Sequence, residues 1–407
     1  MILFITSKIK IGGTELYLKK ISSSLIKADK KAKILSLHSR NYDKSLYDEL
    51  TAVADVIFLK DLLHYHFKNI AEKVNFFLPL SRKKIRSKIG APDSIVFTSP
   101  ITYLVGRRLL LFLTPTRAVF EIFHSKEIAW GNIENLAMSE RILRSDLSKS
   151  GVRVLFHSHN ELNYYNKKNK NKYDLDSMVM PLGIEKKDYI YKYKKTFKIA
   201  VLSRIDEHKK FLPASIKLAK NNKTIKLLII GDGDYQISLR EQVKKLNISD
   251  RVKFLGIKTG KDLEELLVNI DFAITSGSGL TLCASLGIPC LVGMEISEEY
   301  SIGFFSEGNN YQYTDGHYNF SNHVTYENAA RNFYSNAHYF VEQAKETRKK
   351  LLLERNIDNI LESFVDIINT SKKLEGSNLL FFWGFTWVID QIIGLKSGKG
   401  TYKDKLK

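Results

Sequence analysis

The stretch from Lys198 to Val292 decides the fold of this chain. It opens with KIAVLSRIDEHKKF, continues through IKLLIIGDGD and RVKFLGI, and ends with DFAITSGSGLTLCASLGIPCLV. Four short apolar runs in it are each followed by a polar, basic or glycine-containing turn, with helical patterns between them. Strands that alternate with helices form a parallel sheet, and the turns at the carboxyl ends of its strands form a ligand crevice. We therefore expect an α/β fold here, with a binding site at one edge of the sheet.

Size and composition predict a two-domain globular protein. The chain has 407 residues, of which 44% are hydrophobic and only 7 are proline. A chain of this length exceeds one ordinary core, and its composition does not favour long disordered linkers. The formal net charge of +19 indicates either a polyanionic partner or a solvated lysine surface. No helix-turn-helix, zinc-finger or RNP-type motif is found, so we do not expect a nucleic-acid partner.

The cysteines and the amino terminus predict a cytoplasmic location. Cys283 and Cys290 lie in one apolar stretch and are typical of buried small hydrophobic residues in a reducing compartment. The apolar run in MILFITSKIK is too short for a signal peptide and is typical of a first strand.

The amino-terminal half has the pattern of a second doubly wound domain. A predicted strand, Ile2–Ser7, is followed by Gly12 and Gly13 and then by a helical pattern. Such a turn lets backbone amides approach a ligand. Further strands are predicted in KILSLHS, ADVIFLK, SIVFTSP, AVFEIFHS and RVLFHSH, where His124 ends the fourth of these segments. His157 and His159 end the fifth, where Ser158 indicates a helix cap and a structural role.

Cations and glycines follow the strands of the second half. Arg204 and Lys209 come directly after the strand KIAVL, where an arginine and a lysine can hold both phosphates of a diphosphate. The alternative is a surface salt-bridge cluster with Asp206 and Glu207. Further binding-site candidates follow the later strands: Gly231, Gly233, Gly256, Ile257, Gly277, Ser278 and Gly279. The last three open a helix whose amides can bind phosphate or sugar hydroxyls.

Several of these motifs resemble one enzyme family. VMPLGIE resembles a PxGID-type interdomain link, SRIDEHKKF resembles the motif GRLxxxKG, and GDG occupies the expected next turn. Together they resemble GT-B glycosyltransferases, especially the large retaining family that includes bacterial polysaccharide-building enzymes. The resemblance implies two Rossmann-like domains facing across a cleft, an acceptor-side domain at 1–183 and a nucleotide-sugar domain at 184–375.

The resemblance also implies substrates and roles. The donor is a nucleotide diphosphate sugar, the acceptor is a glycan or a lipid-linked molecule, and neither a cofactor nor a metal takes part. Arg204 and Lys209 stabilise the leaving diphosphate, and Gly256 and Ile257 lie beside the nucleobase. His124 lies near the transferred sugar, although a histidine hydrogen-bonded at a strand end is an equally good interpretation.

One departure from the family leaves alternatives open. Where family members carry two glutamates eight positions apart, this chain has Ile274 and Leu282. Glu295 is a possible replacement carboxylate. The loss of both glutamates motivates a second hypothesis, a catalytically silent GT-B protein in a polysaccharide assembly complex. A nucleotide-sugar epimerase of related fold is a third and fits less well.

Two segments predict contact with an anionic membrane surface. The segment 75–88, NFFLPLSRKKIRSK, joins apolar residues to five basic ones, and Leu379–Leu395 is apolar nearly all round, with lysines after it. Because Asp390 and Gln391 interrupt the second segment, an in-plane helix in a tail at 376–407 fits better than a span. We expect a peripheral protein on the inner face of the cell membrane. The alternatives are a helix with a charged outer face at 75–88 and a buried helix in the tail.

Overall fold

The computed structural model describes residues 1–65, 71–123, 138–169, 174–189, 191–309, 311 and 323–396. The chain divides into two compact units. Unit 1 comprises Met1–Pro181 and Ile360–Lys407, and unit 2 comprises Leu182–Asn359. Unit 2 is therefore inserted between two segments of unit 1.

Unit 1 is built on a sheet in which seven parallel strands have the order β3-β2-β1-β4-β5-β6-β7, and β15 joins β5 antiparallel. All six strands expected from the sequence in this unit are present, whereas β7 and β15 were not predicted. The strands are β1 Ile2–Thr6, β2 Ala32–Ser36, β3 Asp55–Phe58, β4 Ser94–Phe97, β5 Thr116–Ile122, β6 Arg153–Phe156, β7 Ser177–Val179 and β15 Lys373–Leu374.

Helices cover the sheet of unit 1, as the apolar strands require. All five residues of β1 and all four of β4 are buried, which is typical of parallel strands covered on both faces. The helices are α1 Gly13–Lys27, α2 Lys44–Thr51, α3 Arg82–Lys88, α4 Pro100–Leu109, α5 Met138–Ser150, α6 His159–Asn169, α13 Ile357–Thr370, which begins within unit 2, and α14 Leu379–Lys396.

Unit 2 contains a five-stranded parallel sheet of order β10-β9-β8-β11-β12. Four of its strands are the apolar runs of the Lys198–Val292 stretch and the fifth, β12, ends that stretch, so the prediction of a parallel sheet is confirmed. The elements are β8 Lys198–Leu202, α7 Phe211–Asn221, β9 Lys226–Ile230, α8 Gln236–Lys245, β10 Val252–Phe254, α9 Gly260–Leu267, β11 Phe272–Thr275, α10 Ser278–Leu286, β12 Cys290–Val292, β13 Tyr300–Ser301, β14 Val324–Thr325, α11 Tyr326–Ser335 and α12 Ala337–Glu354. Cys283 and Cys290 are free and buried, as expected.

The chain returns to unit 1 earlier than the sequence analysis placed it. Residues 360–375 were assigned to the nucleotide-sugar domain, but they lie in unit 1. Phe364 of α13 is fully buried and stacks on Phe4 of β1, with ring centroids 6.1 Å apart. Lys373 and Leu374 then pair with the first residues of β5. The apolar face of α13 thus completes the core of the amino-terminal sheet.

Helix α14 packs against α4 and α5 and keeps an exposed aromatic face. Leu380 is fully buried, and the guanidinium of Arg108 lies 5.1 Å from the ring centroid of Phe381. On the other side, Phe382 and Phe385 are 68% and 70% exposed. The helix is therefore an integral part of unit 1 with an uncovered apolar surface.

The segment 75–88 meets α14. Phe77 is exposed, and its ring centroid lies 5.8 Å from that of Phe381. Phe76, Leu80 and Ile85 face the core instead, so fewer apolar residues are exposed than the sequence predicted. Five exposed basic side chains remain in this segment: Arg82, Lys83, Lys84, Arg86 and Lys88. Within the described part of the chain, every helix is too short or too polar to cross a membrane.

Candidate functional site

Most of the predicted binding residues lie at one edge of the unit 2 sheet. Arg204 and Lys209 follow β8, Gly231 and Gly233 follow β9, Gly256 and Ile257 follow β10, and Gly277, Ser278 and Gly279 follow β11. Because these strands are parallel, their carboxyl ends meet at the same edge. The fold thus gathers residues spread over 76 positions of sequence, from Arg204 to Gly279, at one crevice edge.

The turn Gly231–Asp232–Gly233 needs glycine because the loop after β8 packs directly on it. Gly231 and Gly233 have φ of +135° and +156°. A Cβ added to Gly231 would lie 1.8 Å from the carbonyl oxygen of Ser203, and one added to Gly233 would lie 2.3 Å from that of Ile205. The Ile205 amide also donates to the carbonyl oxygen of Asp232 at 2.9 Å. These contacts fix the backbone on both sides of Arg204.

Arg204 presents its side chain to solvent. It is 61% exposed, and its Nε donates to a carboxylate oxygen of Asp206, two residues along the same loop. An exposed ion pair of this kind contributes little to stability, because water and salt screen it. The guanidinium is therefore held loosely and can exchange Asp206 for another anion at small cost.

Lys209 has a different environment. Its Nζ forms an ion pair with Glu295 and lies 3.4 Å from the hydroxyl of Ser276. The side chain of Lys209 is 14% exposed and that of Glu295 only 3%. The lysine is thus held at the point where the segments after β8, β11 and β12 meet.

The segment that carries Glu295 is fixed by its neighbours. The amide of Phe211 donates to the carbonyl oxygen of Met294 at 3.1 Å, and the amide of Met294 donates to the hydroxyl of Tyr326 at 2.9 Å. A Cβ on Gly293 would lie 2.8 Å from the ring of Phe211. Glu295 was only a possible replacement carboxylate in the sequence, and the structure makes it the partner of Lys209.

The first turn of α10 offers backbone amides at the same edge. Its N-cap residue is Gly277, with φ +60°, and no side chain caps the turn. A Cβ on Gly279 would lie 2.2 Å from the hydroxyl oxygen of Thr275, which itself donates to the carbonyl oxygen of Leu202 at 2.5 Å. Uncapped first-turn amides together with the helix dipole attract anions.

Gly256 and Ile257 complete this edge. Gly256 has φ +66°, and a Cβ added there would meet no atom within 4 Å. Its carbonyl oxygen accepts from the amide of Gly231 at 2.9 Å, and Ile257 is exposed. The two residues therefore form an open apolar margin beside the GDG turn.

The positions of the absent glutamates are apolar in the structure as well. Ile274 is fully buried in β11, and Leu282 is partly buried on α10 against the core. Neither position supplies a hydrogen bond from its side chain. The carboxylate of Glu295 comes from β12 instead, and it contacts a cation.

The predicted residues of unit 1 are only partly described. Gly12 is the N-cap residue of α1, and Gly13 is the first residue of that helix. Gly12 has φ −166°, an extended backbone that any residue adopts, so its turn does not require glycine. His124 lies outside the described residues. The expected cap at Ser158 is present, because its hydroxyl oxygen accepts from the amide of Glu161 at 3.2 Å.

Sequence reasoning missed a buried polar group in unit 1. Glu121 lies inside β5, and the hydroxyl of Tyr17 donates to its Oε1 at 2.8 Å. The available signal was a single acidic residue within the apolar run AVFEIF. Burial raises the pKa of Glu121 to about 8 and lowers that of His157 to about 4.

Parallel sheets with covering helices in both units are features of the GT-B glycosyltransferases, and the chain has that fold. Residues 184–296, which include all five strands of the unit 2 sheet, match the family "Glycosyl transferases group 1". No curated protein sequence matches the chain. These findings support a glycosyltransferase.

Solved structures of this fold resemble the whole chain. HepE of Anabaena in complex with UDP-glucose is 16% identical, with a TM-score of 0.66, and the match covers 91% of this chain and 99% of the HepE chain. Sucrose-phosphate synthase of Thermosynechococcus elongatus is 13% identical, with a TM-score of 0.65 and coverages of 90% and 98%. A TarM variant of S. aureus in complex with fondaparinux, α-GlcNAc-glycerol and UDP is 11% identical, with a TM-score of 0.66 and coverages of 91% and 99%.

Proposed function

We propose that the protein is a hexosyltransferase that moves a sugar from a nucleotide diphosphate sugar to a glycan or lipid-linked acceptor in the synthesis of a bacterial cell-surface polysaccharide such as a capsule. The observation that carries the proposal is the placement of Arg204, Lys209 and the first turn of α10 at one sheet edge, inside the region that matches the glycosyltransferase family. The complexes of HepE with UDP-glucose and of TarM with UDP support a nucleotide sugar as the donor.

The proposed chemistry depends on charge at the leaving group. The bond between the anomeric carbon and the diphosphate breaks, a bond to the acceptor oxygen forms, and the acceptor proton passes to a phosphate oxygen. Negative charge grows on the diphosphate during this step, so fixed cations stabilise the transition state more than the ground state. In this scheme Arg204 and Lys209 supply that charge without a metal, no cofactor takes part, and the anomeric configuration is retained.

The two cations would act differently. Arg204 is exposed and its counterion Asp206 sits on the same loop, so a diphosphate can replace the carboxylate as its partner. Lys209 is already paired with buried Glu295, so a diphosphate would share the charge of Lys209 with that carboxylate. We therefore expect Arg204 to contribute most of the ground-state affinity for the diphosphate. His124 would position the sugar or the acceptor.

The exposed face of α14 supports peripheral attachment to an anionic membrane. Phe382 and Phe385 are mostly exposed, Phe77 extends the same apolar surface, and the basic face of α3 follows Phe77 in sequence. Aromatic residues enter the lipid interface while lysine and arginine meet anionic head groups, at about 1 kcal/mol per charge. A lipid-linked acceptor would then be presented at the same surface.

The donor site is tested by thermal unfolding of the full chain with UDP, GDP, CDP, ADP and their common sugar conjugates. At a hundredfold excess over Kd, a ligand stabilises its site by about 2.7 kcal/mol. We expect a diphosphate-dependent rise in Tm that Arg204→Ala abolishes. Lys226→Ala is the matched control, because Lys226 is an exposed cation at the opposite end of the same sheet. If Arg204→Ala and wild type respond equally, Arg204 does not hold the diphosphate.

The second candidate function is a catalytically silent GT-B protein within an assembly complex. Ile274 and Leu282, which replace the family's glutamates, favour it. Binding of a nucleotide sugar without any release of its sugar, to water or to acceptors, would support this function over the first.

A further inference from the structure

A buried hydrogen-bonded group lies at the carboxyl ends of β5 and β6 in unit 1. Glu121 is the sixth of seven residues in β5 and is fully buried. Its Oε1 accepts from the Tyr17 hydroxyl of α1, and Tyr17 also packs against the ring of His157, with centroids 6.0 Å apart. Phe123 packs on both of these rings, at 5.3 Å from Tyr17 and 4.8 Å from His157. The group therefore joins one helix to two adjacent strands.

Two polar atoms of this group lack a hydrogen-bond partner among the described residues. They are Oε2 of Glu121 and Nε2 of His157. Nδ1 of His157 lies 2.9 Å from the carbonyl oxygen of Met180, so Nδ1 carries the proton and donates. Nε2 is then an acceptor. Unpaired buried polar atoms are costly, and in native proteins they are retained mainly where they serve a purpose.

The two unpaired atoms are chemically complementary. Burial raises the pKa of Glu121 to about 8, so its carboxyl carries a proton at neutral pH. Burial lowers the pKa of His157 to about 4, so its imidazole is neutral there. Since Oε1 already accepts from Tyr17, the proton resides on Oε2. The group thus contains one neutral donor and one neutral acceptor that lack a partner among the described residues.

We propose that Glu121, buried and hydrogen-bonded to Tyr17, is a positioning residue for the acceptor-side half of the site. Through Tyr17 it fixes α1, which begins at the Gly12–Gly13 turn, and through β5 it fixes the strand end three residues before His124. It touches no substrate and acts through these elements. This inference rests on the proposed function, and its tests are chosen so that the two can fail separately.

Among the described residues, the titratable groups around Glu121 come from α1, β6 and α6. Tyr17 faces it from α1, and His157 follows β6. Glu161 of α6 accepts from the backbone amide of His157 at 3.1 Å, and burial raises its pKa to about 8 as well. None of these groups carries a positive charge at neutral pH that would favour an ionised Glu121. Loss of the proton therefore leaves a negative charge in the core that is stabilised, among the described residues, mainly by the hydroxyl of Tyr17.

The first test is a pH profile of sugar transfer. Above pH 8 wild type should lose kcat, by about tenfold at pH 9, while the KM for the donor stays constant. Glu121→Gln, which keeps a donor and an acceptor without titrating, should retain kcat at pH 9. Tyr17→Phe should lower kcat at every pH, since it removes only the hydroxyl that contacts Glu121. Glu362→Gln is the control, because Glu362 is exposed on α13 in the same unit.

The second test does not need turnover. Hydrogen exchange is measured on peptides from α1 and β5 and corrected for intrinsic rates. In wild type, the exchange rate should rise about tenfold or more between pH 7 and pH 9. In Tyr17→Phe, the exchange rate at pH 7 should exceed that of wild type at pH 7 by about tenfold or more. Glu121→Gln should stay protected at both pH values. If Glu121→Gln shows the same alkaline loss as wild type, or Tyr17→Phe exchanges like wild type, the inference is wrong. Absence of turnover in wild type with all donors would instead count against the proposed function.

Discussion

Replacing Lys209 with alanine should destabilise unit 2 before any ligand is considered. The substitution removes the cation next to Glu295, whose side chain is only 3% exposed. Removing one partner of a buried ion pair costs about 3–5 kcal/mol, because a desolvated charge loses its counterion. Lys209 keeps 14% exposure, so we expect the lower end, about 3 kcal/mol. For a unit of this size, that corresponds to a fall in Tm of about 6–12 °C.

The measurement must follow unit 2 specifically. The chain has 3 tryptophans, at positions 130, 383 and 387, and none lies within the sequence of unit 2, so tryptophan is not a direct probe of that unit. Hydrogen exchange under increasing urea, read by mass spectrometry on peptides of α7 and β12, gives the free energy of unfolding of unit 2 itself. Peptide-level exchange also separates the unfolding of unit 2 from that of unit 1, which a signal from the whole chain would combine.

A paired substitution distinguishes the ion pair from simple loss of packing. Lys209→Met with Glu295→Leu replaces both charges by apolar groups, which is often neutral or stabilising. We expect this double variant to lie within about 1 kcal/mol of wild type. If Lys209→Ala alone is as stable as wild type, or if the double variant is no more stable than Lys209→Ala, the reasoning fails. The double variant also lets the phosphate role of Lys209 be measured in a stable protein.

Four further predictions concern separate features. Gly231→Ala should lower the free energy of unfolding of unit 2, measured in urea, by several kcal/mol, because its Cβ would lie 1.8 Å from a backbone oxygen. Gly256 also has a positive φ, but a Cβ there would meet no atom, so Gly256→Ala should lower the same free energy by only about 1 kcal/mol. Phe385→Ser should weaken binding to anionic vesicles at least tenfold without changing the Tm, whereas equal binding would exclude α14 from the membrane surface. The folded pKa of Glu161 is raised, so its contribution to stability is complete below its ordinary pKa and is lost as pH rises toward 8, at about 1.4 kcal/mol per pH unit. Glu161→Gln should remove its share of the fall in unfolding free energy with rising pH, measured by urea titration of unit 1 with tryptophan fluorescence. The depressed pKa of His157 predicts a separate loss of stability as pH falls from about 6.5 to 4.

The sheets were predictable because local sequence determines them. Apolar runs such as KIAVL and KLLIIG lie between turns and can only be buried strands, and the structure forms both as β8 and β9. The helix α13 was predicted as well, but not the sheet that it covers. An amphipathic face shows that a helix is buried, and it does not show against which core.

The site was predictable only in part. The basic and glycine-rich turns were found because each follows its strand directly in sequence. The Lys209–Glu295 pair joins residues 86 positions apart, and no local pattern relates them. Gly231 and Gly256 look alike in sequence and share a positive φ, yet only Gly231 is crowded by a neighbouring backbone. Such distinctions depend on which loop lies beside the turn.

The nested path of the chain has a consequence for its biosynthesis. Unit 2 leaves the ribosome ahead of most of α13 and of β15 and α14, so it can begin to fold while the core of unit 1 still lacks these three elements. During this interval the face of β1 that Phe364 later covers remains without its partner helix. Unit 1 therefore reaches its final form only after its second segment has left the ribosome. Premature termination near residue 360 would release a complete unit 2 joined to an unfinished amino-terminal half, which is the species most exposed to aggregation and to chaperones.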